Sequence, residues 1–155
     1  MNIYRYLKYG IKNLIYWFPI IWYDRNFDHY YLSIILKHKL KDMAKFYNSP
    51  HAWGEDAPKL AEQMETCVTI LDRIIEDDYN REGYDVHDEK WGELIFDRGT
   101  EGQILLKRTK RITEEEEEIE QKEYSEVYEK EIKDRDNDIE NLFKIIKENL
   151  LCWWD

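Results

Sequence analysis

The chain has 155 residues, of which 43% are hydrophobic and 37% are charged, with only six glycines and three prolines. This composition excludes a disordered chain and is typical of a helix-rich globular protein of one domain. We predict a single domain over residues 1–155 with a mainly α fold, a bundle of four or five helices. The two cysteines, Cys67 and Cys152, provide no disulfide framework, so we expect a protein of a reducing, cytoplasmic compartment.

Charge is divided unevenly along the chain. Residues 1–48 contain eight Lys/Arg and three Asp/Glu, whereas the whole chain carries a net charge of −11, so that residues 49–155 carry −16. The basic part also contains thirteen of the aromatic residues. Cations interleaved with rings suit a small anionic ligand that has a flat ring, and the acidic remainder repels extended nucleic acid. We therefore expect such a ligand and no nucleic acid polymer as a partner.

The first helix is predicted over residues 2–18, because Pro19 disfavours helical geometry at the residue before it. On one side of this helix cations alternate with Tyr9 and Tyr16, which indicates either a solvated face or an anion-binding face. The apolar run at 14–23 is about half the ~20 residues that a membrane-spanning helix needs. We interpret it as a buried aromatic helix end and expect no membrane partner. The alternative is peripheral membrane contact by a basic aromatic helix.

A second helix is predicted from Asp24 or Asn26 to about Tyr47, because both residues are good caps. Its apolar side chains cover two arcs, which predicts a central helix with neighbours on both sides. His29 and His38 lie on or beside these arcs. Each is interpreted as a core or boundary histidine or, alternatively, as a ligand contact.

A third helix is predicted from about residue 56 to Tyr79, followed by a turn at 80–85. The apolar segments 94–96 and 104–106 then predict a small β-hairpin near 94–106.

The last helix is predicted to begin at Thr113 and reach about Cys152, either continuous or broken near 134–138. Acids in its first turn, at 114–118, interact favourably with free amide groups. We expect the 113–155 segment, with sixteen acids, to be a solvated face or a protein-binding surface. The residues predicted to close the helix onto the second helix are Phe143, Ile146, Leu150 and Trp153.

The sequence contains no motif that indicates catalysis. The carboxylates Glu62, Glu65, Asp72 and Glu76 share the side of the third helix opposite to its apolar face, which indicates a solvated surface and not an enclosed metal site. Cysteines and histidines lack the spacing of zinc ligands. Residues 87–92 place a histidine, a lysine and a tryptophan close together, as either a loop anchor or a nucleotide clasp. We expect no enzyme, no metal and no cofactor.

Several sequence blocks resemble a group of small acidic helical proteins from tailed phages. In chain order the shared blocks are W-F-P-I-I-W at 17–22, D-R-x-x-D-x-x-Y-L at 24–32, K-L-x-x-M at 39–43, L-D-R-x-I-x-D at 71–77, H-D-x-K-W-G at 87–92 and W-W-D at 153–155. The blocks are spread along most of the chain, from residue 17 to residue 155. This resemblance implies an accessory phage protein that acts on the host.

Phage origin further implies an antagonist of host defence, of which anti-CBASS-type cyclic nucleotide sponges are one class. Such proteins are compact oligomers that hold a cyclic nucleotide between subunits, with aromatic rings against bases and cations at phosphates. The resemblance therefore implies a cytosolic homo-oligomer that sequesters a cyclic nucleotide. The candidate ligand-binding residues are Lys12, Tyr16, Arg25, His29 and Trp91. Alternatives are an acidic inhibitor that binds a host protein, also by imitating DNA, and a structural phage protein.

Overall fold

A computed structural model describes residues 3–24, 28–98, 104–110 and 113–154 of the chain. The elements are, in chain order, α1 (Ile3–Ile21), α2 (His29–Tyr47), α3 (Ala57–Glu76), α4 (Arg81–Trp91), β1 (Leu94–Arg98), β2 (Ile104–Arg108), α5 (Glu114–Asn149) and a short 3₁₀ helix (Cys152–Trp154). The predicted mainly α fold with a small hairpin is confirmed.

The helix boundaries differ from the predictions in several places. α1 continues past Pro19, and the Trp22 N–H still donates to the Phe18 carbonyl at 3.0 Å. The cap of α2 is Asp28, whose carboxylate accepts a hydrogen bond from the Tyr30 N–H at 2.9 Å. Of the two predicted caps, Asn26 lies outside the described residues. α3 ends at Glu76 because Asp77 adopts a left-handed conformation with φ of 48°.

The turn predicted at 80–85 is wrong, because residues 81–91 form α4. Its inward residues are mostly polar or amphipathic, so the periodicity of apolar residues alone misses this helix. The start of α5 agrees with the prediction. The Thr113 hydroxyl accepts from the Glu116 N–H at 3.2 Å, and the Glu116 carboxylate accepts from the Thr113 N–H at 3.0 Å. This reciprocal pair is a capping box. α5 is unbroken through 134–138.

The chain divides into two compact units, the first comprising Met1–Glu76 with Leu142–Asp155 and the second Asp77–Asn141. In the first unit α2 and α3 pack around one apolar core. Its buried residues are Leu40, Ala44, Met64, Cys67, Ile70, Leu71, Leu142 and Trp153. The Tyr47 hydroxyl donates to the Trp153 carbonyl at 2.5 Å, and the Trp153 indole N–H donates to Gln63 at 3.2 Å. Both hydrogen bonds fix the C-terminal segment on this core.

The predicted closing residues of the last helix are partly wrong. Trp153 is buried and Ile146 packs against the core, as predicted. Phe143, however, is 59% exposed, and Leu150 is also exposed. Leu142, with 3% exposure, takes the buried position. Adjacent residues of a helix point roughly 100° apart, so this shift of one residue turns Phe143 to solvent.

The predicted burial of the aromatic end of α1 is also wrong. No residue of α1 is buried, and Phe18, Ile21 and Trp22 are all exposed. Only Tyr16, Trp17 and Ile20 are half-buried. Among the described residues, no helix is long and apolar enough to cross a membrane.

The second unit contains α4, the hairpin and the first part of α5. β1 and β2 are antiparallel, with Leu94 opposite Arg108 and Phe96 opposite Leu106, which confirms the predicted pairing. Gly92 precedes the hairpin with φ of 79°, and a Cβ there would collide with the Thr109 hydroxyl oxygen and lie 3.0 Å from the Lys110 backbone nitrogen. Only glycine fits this close approach.

Candidate ligand-binding site

His38 lies on α2 in contact with two aromatic residues of α1. The Tyr16 ring lies over the imidazole, with the ring centroids 4.1 Å apart and the planes inclined by 31°, and Trp17 meets the imidazole edge-on at 4.8 Å. The His38 Nε2 atom is buried and has no hydrogen-bond partner among the described residues. A buried polar atom without a partner costs about 1–3 kcal/mol, so a group that reaches Nε2 recovers part of that free energy.

A cavity of about 290 Å³ lies beside His38; we call it the His38 cavity. Its lining residues are Ile20, Tyr30, Ile34, Lys37, His38, Lys41 and Ile75. Its volume is close to the lower end of the ~300–1,000 Å³ range of small-molecule pockets. The apolar walls come from α1, α2 and α3, and the exposed ring of Tyr30 provides a flat surface. The cavity therefore combines a stacking surface with cations.

The two lysines of the His38 cavity differ in their availability. Lys37 forms an ion pair with Asp72, so an anionic ligand would compete with that carboxylate. Lys41 is exposed, and no carboxylate in the described part of the chain pairs with it. A ligand phosphate at Lys41 would gain a charge-assisted hydrogen bond without breaking an existing ion pair.

Tyr16 limits where the negative charge of a ligand can lie. Burial raises the pKa of its hydroxyl above the usual 10.0, and the charge of Asp42 and a hydrogen bond to Asp42 raise it further. Tyr16 is thus a neutral ring at physiological pH. The nearby carboxylate of Asp42 disfavours an anion beside the Tyr16 hydroxyl, which leaves Lys41 as the favourable position.

The structure places three of the predicted site residues in the first unit. Tyr16 contacts the His38 ring, as described above. Lys12 is exposed one turn before Tyr16 on α1, and residues four apart on a helix are neighbours. His29 is the first residue of α2 and is almost fully exposed, with its Nδ1 atom 4.0 Å from Asp28. Arg25 lies outside the described residues.

Trp91, the fifth predicted site residue, lies in the second unit and is only 7% exposed. Its indole N–H donates to Glu123 at 2.8 Å, and the Lys90 ammonium lies 4.7 Å from the ring centroid. Lys90 also donates to Glu123 at 2.5 Å. The indole is therefore engaged within the second unit, as the loop-anchor interpretation of residues 87–92 expects.

Arg108 is the centre of a buried polar cluster in the second unit. Its guanidinium donates to Glu120 at 3.1 Å, to Asp88 at 2.5 Å and to the Gly92 carbonyl at 3.1 Å. It also donates to His87 Nδ1 at 3.2 Å, so this nitrogen carries no hydrogen. All three guanidinium nitrogens thus make hydrogen bonds within the unit, which is typical of a structural cluster.

Two other cavities in the first unit fit an anionic ring less well. The larger, about 630 Å³, borders Lys41 and Lys45 but is also lined by Glu65 and has no aromatic ring. The other, about 360 Å³, lies near Phe46 and Trp153 and includes the carboxylate of Asp42. The His38 cavity has two lysines, a histidine and a tyrosine, with no carboxylate in its lining.

Sequence reasoning selected Tyr16 and gave ligand contact as the alternative interpretation of His38, but it did not select Tyr30, Lys37 or Lys41. Their spacing carries a signal, because Ile34, Lys37, His38 and Lys41 recur at three- and four-residue intervals on one face of α2. The cavity itself depends on how α1 and α3 lie against that face, which no local pattern specifies.

Within the described residues, no three His, Cys, Asp or Glu side chains group closely enough to hold a metal ion. Comparisons of the chain with protein-family models, with curated proteins and with solved structures found no significant match.

Proposed function

We propose that the protein is a non-catalytic, phage-encoded antagonist of host antiviral defence that binds and sequesters a cyclic nucleotide signal in the host cytosol. The observation that supports this proposal best is the His38 cavity, whose lining of described residues combines a tyrosine, two lysines and a histidine and contains no carboxylate. A cyclic nucleotide has the complementary chemistry, a flat base and a negative phosphate.

In this proposal the base lies against Tyr30 and the phosphate lies at Lys41, with Lys37 released from Asp72 as a second contact. A stacked base contributes about 1–3 kcal/mol, and a hydrogen bond to a charged group about 1.5–3 kcal/mol. At the upper ends of these ranges, one base and two phosphate contacts support a Kd in the micromolar range. Lys12, Arg25 and His29 remain proposed as further ligand-binding residues.

The volume of the His38 cavity favours one nucleotide and not two. A cyclic dinucleotide would therefore need a second copy of the chain to hold its other base, which agrees with the expected homo-oligomer. Contributions from two copies would extend the affinity from micromolar towards nanomolar.

Isothermal titration with 3′,5′-cyclic AMP and with a cyclic GMP–AMP dinucleotide tests this proposal. We expect a Kd of micromolar or below for one of them, and heating the complex should release ligand that is chemically unchanged by chromatography. Light scattering should show the oligomer that the dinucleotide requires. An absence of binding at micromolar concentration, or a hydrolysed ligand, would contradict the proposal.

Variants locate the site within the first unit. Lys41→Glu should weaken binding at least tenfold, because it places a carboxylate where the phosphate lies, and Tyr30→Leu should weaken it about 5- to 150-fold through lost stacking. Lys45→Glu is the matched control, since Lys45 lines the neighbouring 630 Å³ cavity but not the His38 cavity. Because Lys41 lines both cavities, Tyr30→Leu and Lys45→Glu decide between them: normal binding in Tyr30→Leu with loss of binding in Lys45→Glu would move the site to the neighbouring cavity.

An acidic inhibitor of a host protein is the second candidate function. The second unit contains 23 Asp/Glu and eleven Lys/Arg, a net charge of −12, and most glutamates of α5 are at least half-exposed. This function predicts that a basic host protein co-purifies with the chain and is lost when the glutamates at 114–118 are changed to glutamine. Nucleotide binding would then be absent.

A further inference from the structure

α1 has an apolar face that the described part of its unit leaves open to solvent. We define this apolar face as Ile3, Leu7, Ile11, Leu14, Ile15 and Phe18, whose exposed fractions range from 47% to 76%. At roughly 100° per residue the six side chains lie within an arc of about 120°. Tyr16 and Ile20, which are half-buried, point to the opposite side of the helix. An exposed apolar stripe along a whole helix marks an interaction surface.

The charges of α1 indicate the chemistry of its partner. α1 contains Arg5, Lys8 and Lys12 and has no Asp or Glu. On the same helical geometry the three cations lie within an arc of about 60°, which begins about 20° from the edge of the apolar face at Lys8 and ends about 80° from it at Arg5. The exposed rings of Trp22 and Tyr23 follow at the C-terminal end. An apolar face bordered by Lys/Arg and accompanied by Trp and Tyr is the pattern of a helix that lies in the plane of a membrane interface.

A second copy of the chain fits this face less well than a lipid surface does. Two α1 helices that paired through their apolar faces would bring six cations together with no acid on either helix to neutralise them. Anionic headgroups neutralise the same cations. The attraction decays within a Debye length of about 10 Å, so the cations of the docked helix contribute most to it.

We propose that α1 docks flat on an anionic lipid surface, with its apolar face between the headgroups and the acyl chains and its cations at lipid phosphates. This docking goes beyond the nucleotide-binding proposal and does not depend on it. It differs from membrane spanning, for which no described helix is long and apolar enough.

Flotation of the full chain with lipid vesicles tests the docking. With vesicles of 70% phosphatidylcholine and 30% phosphatidylglycerol we expect the protein to float. With pure phosphatidylcholine we expect partitioning to fall roughly 100-fold, because each basic residue near an anionic surface contributes about fivefold. Equal flotation on both vesicles, or none on either, would overturn the proposal.

Paired variants test whether flotation depends on the apolar face and cations of α1 or on other exposed residues of the same unit. Leu7→Glu with Ile11→Glu should abolish flotation without a change in Tm, because neither side chain lies in the core. Leu151→Glu, at an apolar residue of the same unit that is 84% exposed, is the matched control and should float normally. Arg5→Gln with Lys8→Gln should reduce binding about 25-fold, whereas Lys144→Gln with Lys147→Gln should not.

Light scattering without lipid tests the alternative that a second copy of the chain covers the apolar face. If the wild-type chain is a dimer and Leu7→Glu with Ile11→Glu makes it a monomer, the apolar face is an interface between copies and the membrane proposal is wrong. If that variant lowers the Tm of the unit, the face is part of the fold, which also contradicts the proposal.

Discussion

The first unit buries apolar side chains, whereas the second unit buries mostly polar ones. In the first unit every buried side chain of the described part is apolar, and Met64, Cys67 and Leu71 are almost completely enclosed. Among the described residues of the second unit, the buried ones are Trp91 and Gly92 together with the polar residues Asn80, His87, Arg108, Glu120 and Asp138. The two units also differ in charge, with twelve Lys/Arg and eleven Asp/Glu in the first against a net −12 in the second.

This difference shows that two kinds of interaction hold the chain. An apolar core depends on volume and shape, so it tolerates exchanges that conserve volume and loses stability when a cavity forms. A buried polar cluster depends on complete pairing, because each donor or acceptor left alone costs the full desolvation penalty. Loss of one hydrogen-bonding or charged partner should therefore destabilise the second unit more than loss of one apolar side chain destabilises the first.

The largest expected effect is that of Arg108→Ala. The Arg108 and Glu120 side chains are only 5% and 9% exposed, so the variant leaves a buried carboxylate without its cation and removes the donors to Asp88 and His87. We expect a loss of about 3–5 kcal/mol in the free energy of unfolding of the second unit. Hydrogen exchange of α4 amides measures it.

Arg81→Ala is the control for that variant, because the Arg81 ion pair with Asp78 is exposed and three residues apart on the chain. Exposed pairs contribute about 0–1 kcal/mol. If Arg108→Ala and Arg81→Ala reduced protection equally, the polar cluster would not hold the second unit together.

The second-largest expected effect is a difference in stability between variants of two adjacent residues of α5, Leu142 and Phe143. Leu142→Ala should cost about 2–5 kcal/mol in the first unit, because it leaves a cavity among Met64, Leu71 and the other core residues. Phe143→Ala removes a larger side chain but should change the free energy of unfolding by less than about 0.5 kcal/mol, since Phe143 is exposed. Urea denaturation measures both. A larger loss of stability for Phe143→Ala than for Leu142→Ala would support the burial of Phe143 that the sequence predicts.

The same contrast explains how much of the fold the sequence predicts. Periodic apolar residues predict α3 and the packing of α2, because burial in the first unit follows the helical repeat. The capping box predicts the start of α5 for a local reason. α4 is missed because Tyr84, His87 and Trp91 are held by hydrogen bonds to Glu131, Glu120 and Glu123. Such long-range pairing has no local signature.

For the candidate site, composition predicts the kind of ligand but not which residues line the cavity. The excess of cations and aromatic rings in residues 1–48 predicts a surface that binds an anionic ligand with a flat ring. Tyr16 is one of these aromatic residues, and it contacts His38. The remaining cavity residues come from a face of α2 whose mixed lysine, histidine and isoleucine content is typical of a boundary. Whether a boundary face encloses a cavity depends on tertiary packing.

The smallest expected effect concerns pH and Glu123. Hydrogen bonds from Lys90, and then from Trp91, hold the pKa of this carboxyl below its usual 4.5. Because the folded pKa is the lower one, the charged carboxylate stabilises the second unit above about pH 4.5. That contribution is lost as the pH falls through the folded pKa. It is small, since the side chain is 36% exposed and solvent screens the interaction.

Glu123→Gln isolates this contribution, because it keeps an acceptor oxygen and removes the charge. Between pH 5 and pH 3 we expect the amide protection of α4 to fall more in the wild type than in the variant. Glu126→Gln, at an exposed glutamate of the same helix, controls for the loss of one carboxylate. Parallel pH profiles of the wild type and Glu123→Gln would contradict the assignment. Amide protection of α3 should change less over this range, because the apolar core of the first unit contains no buried carboxylate among the described residues.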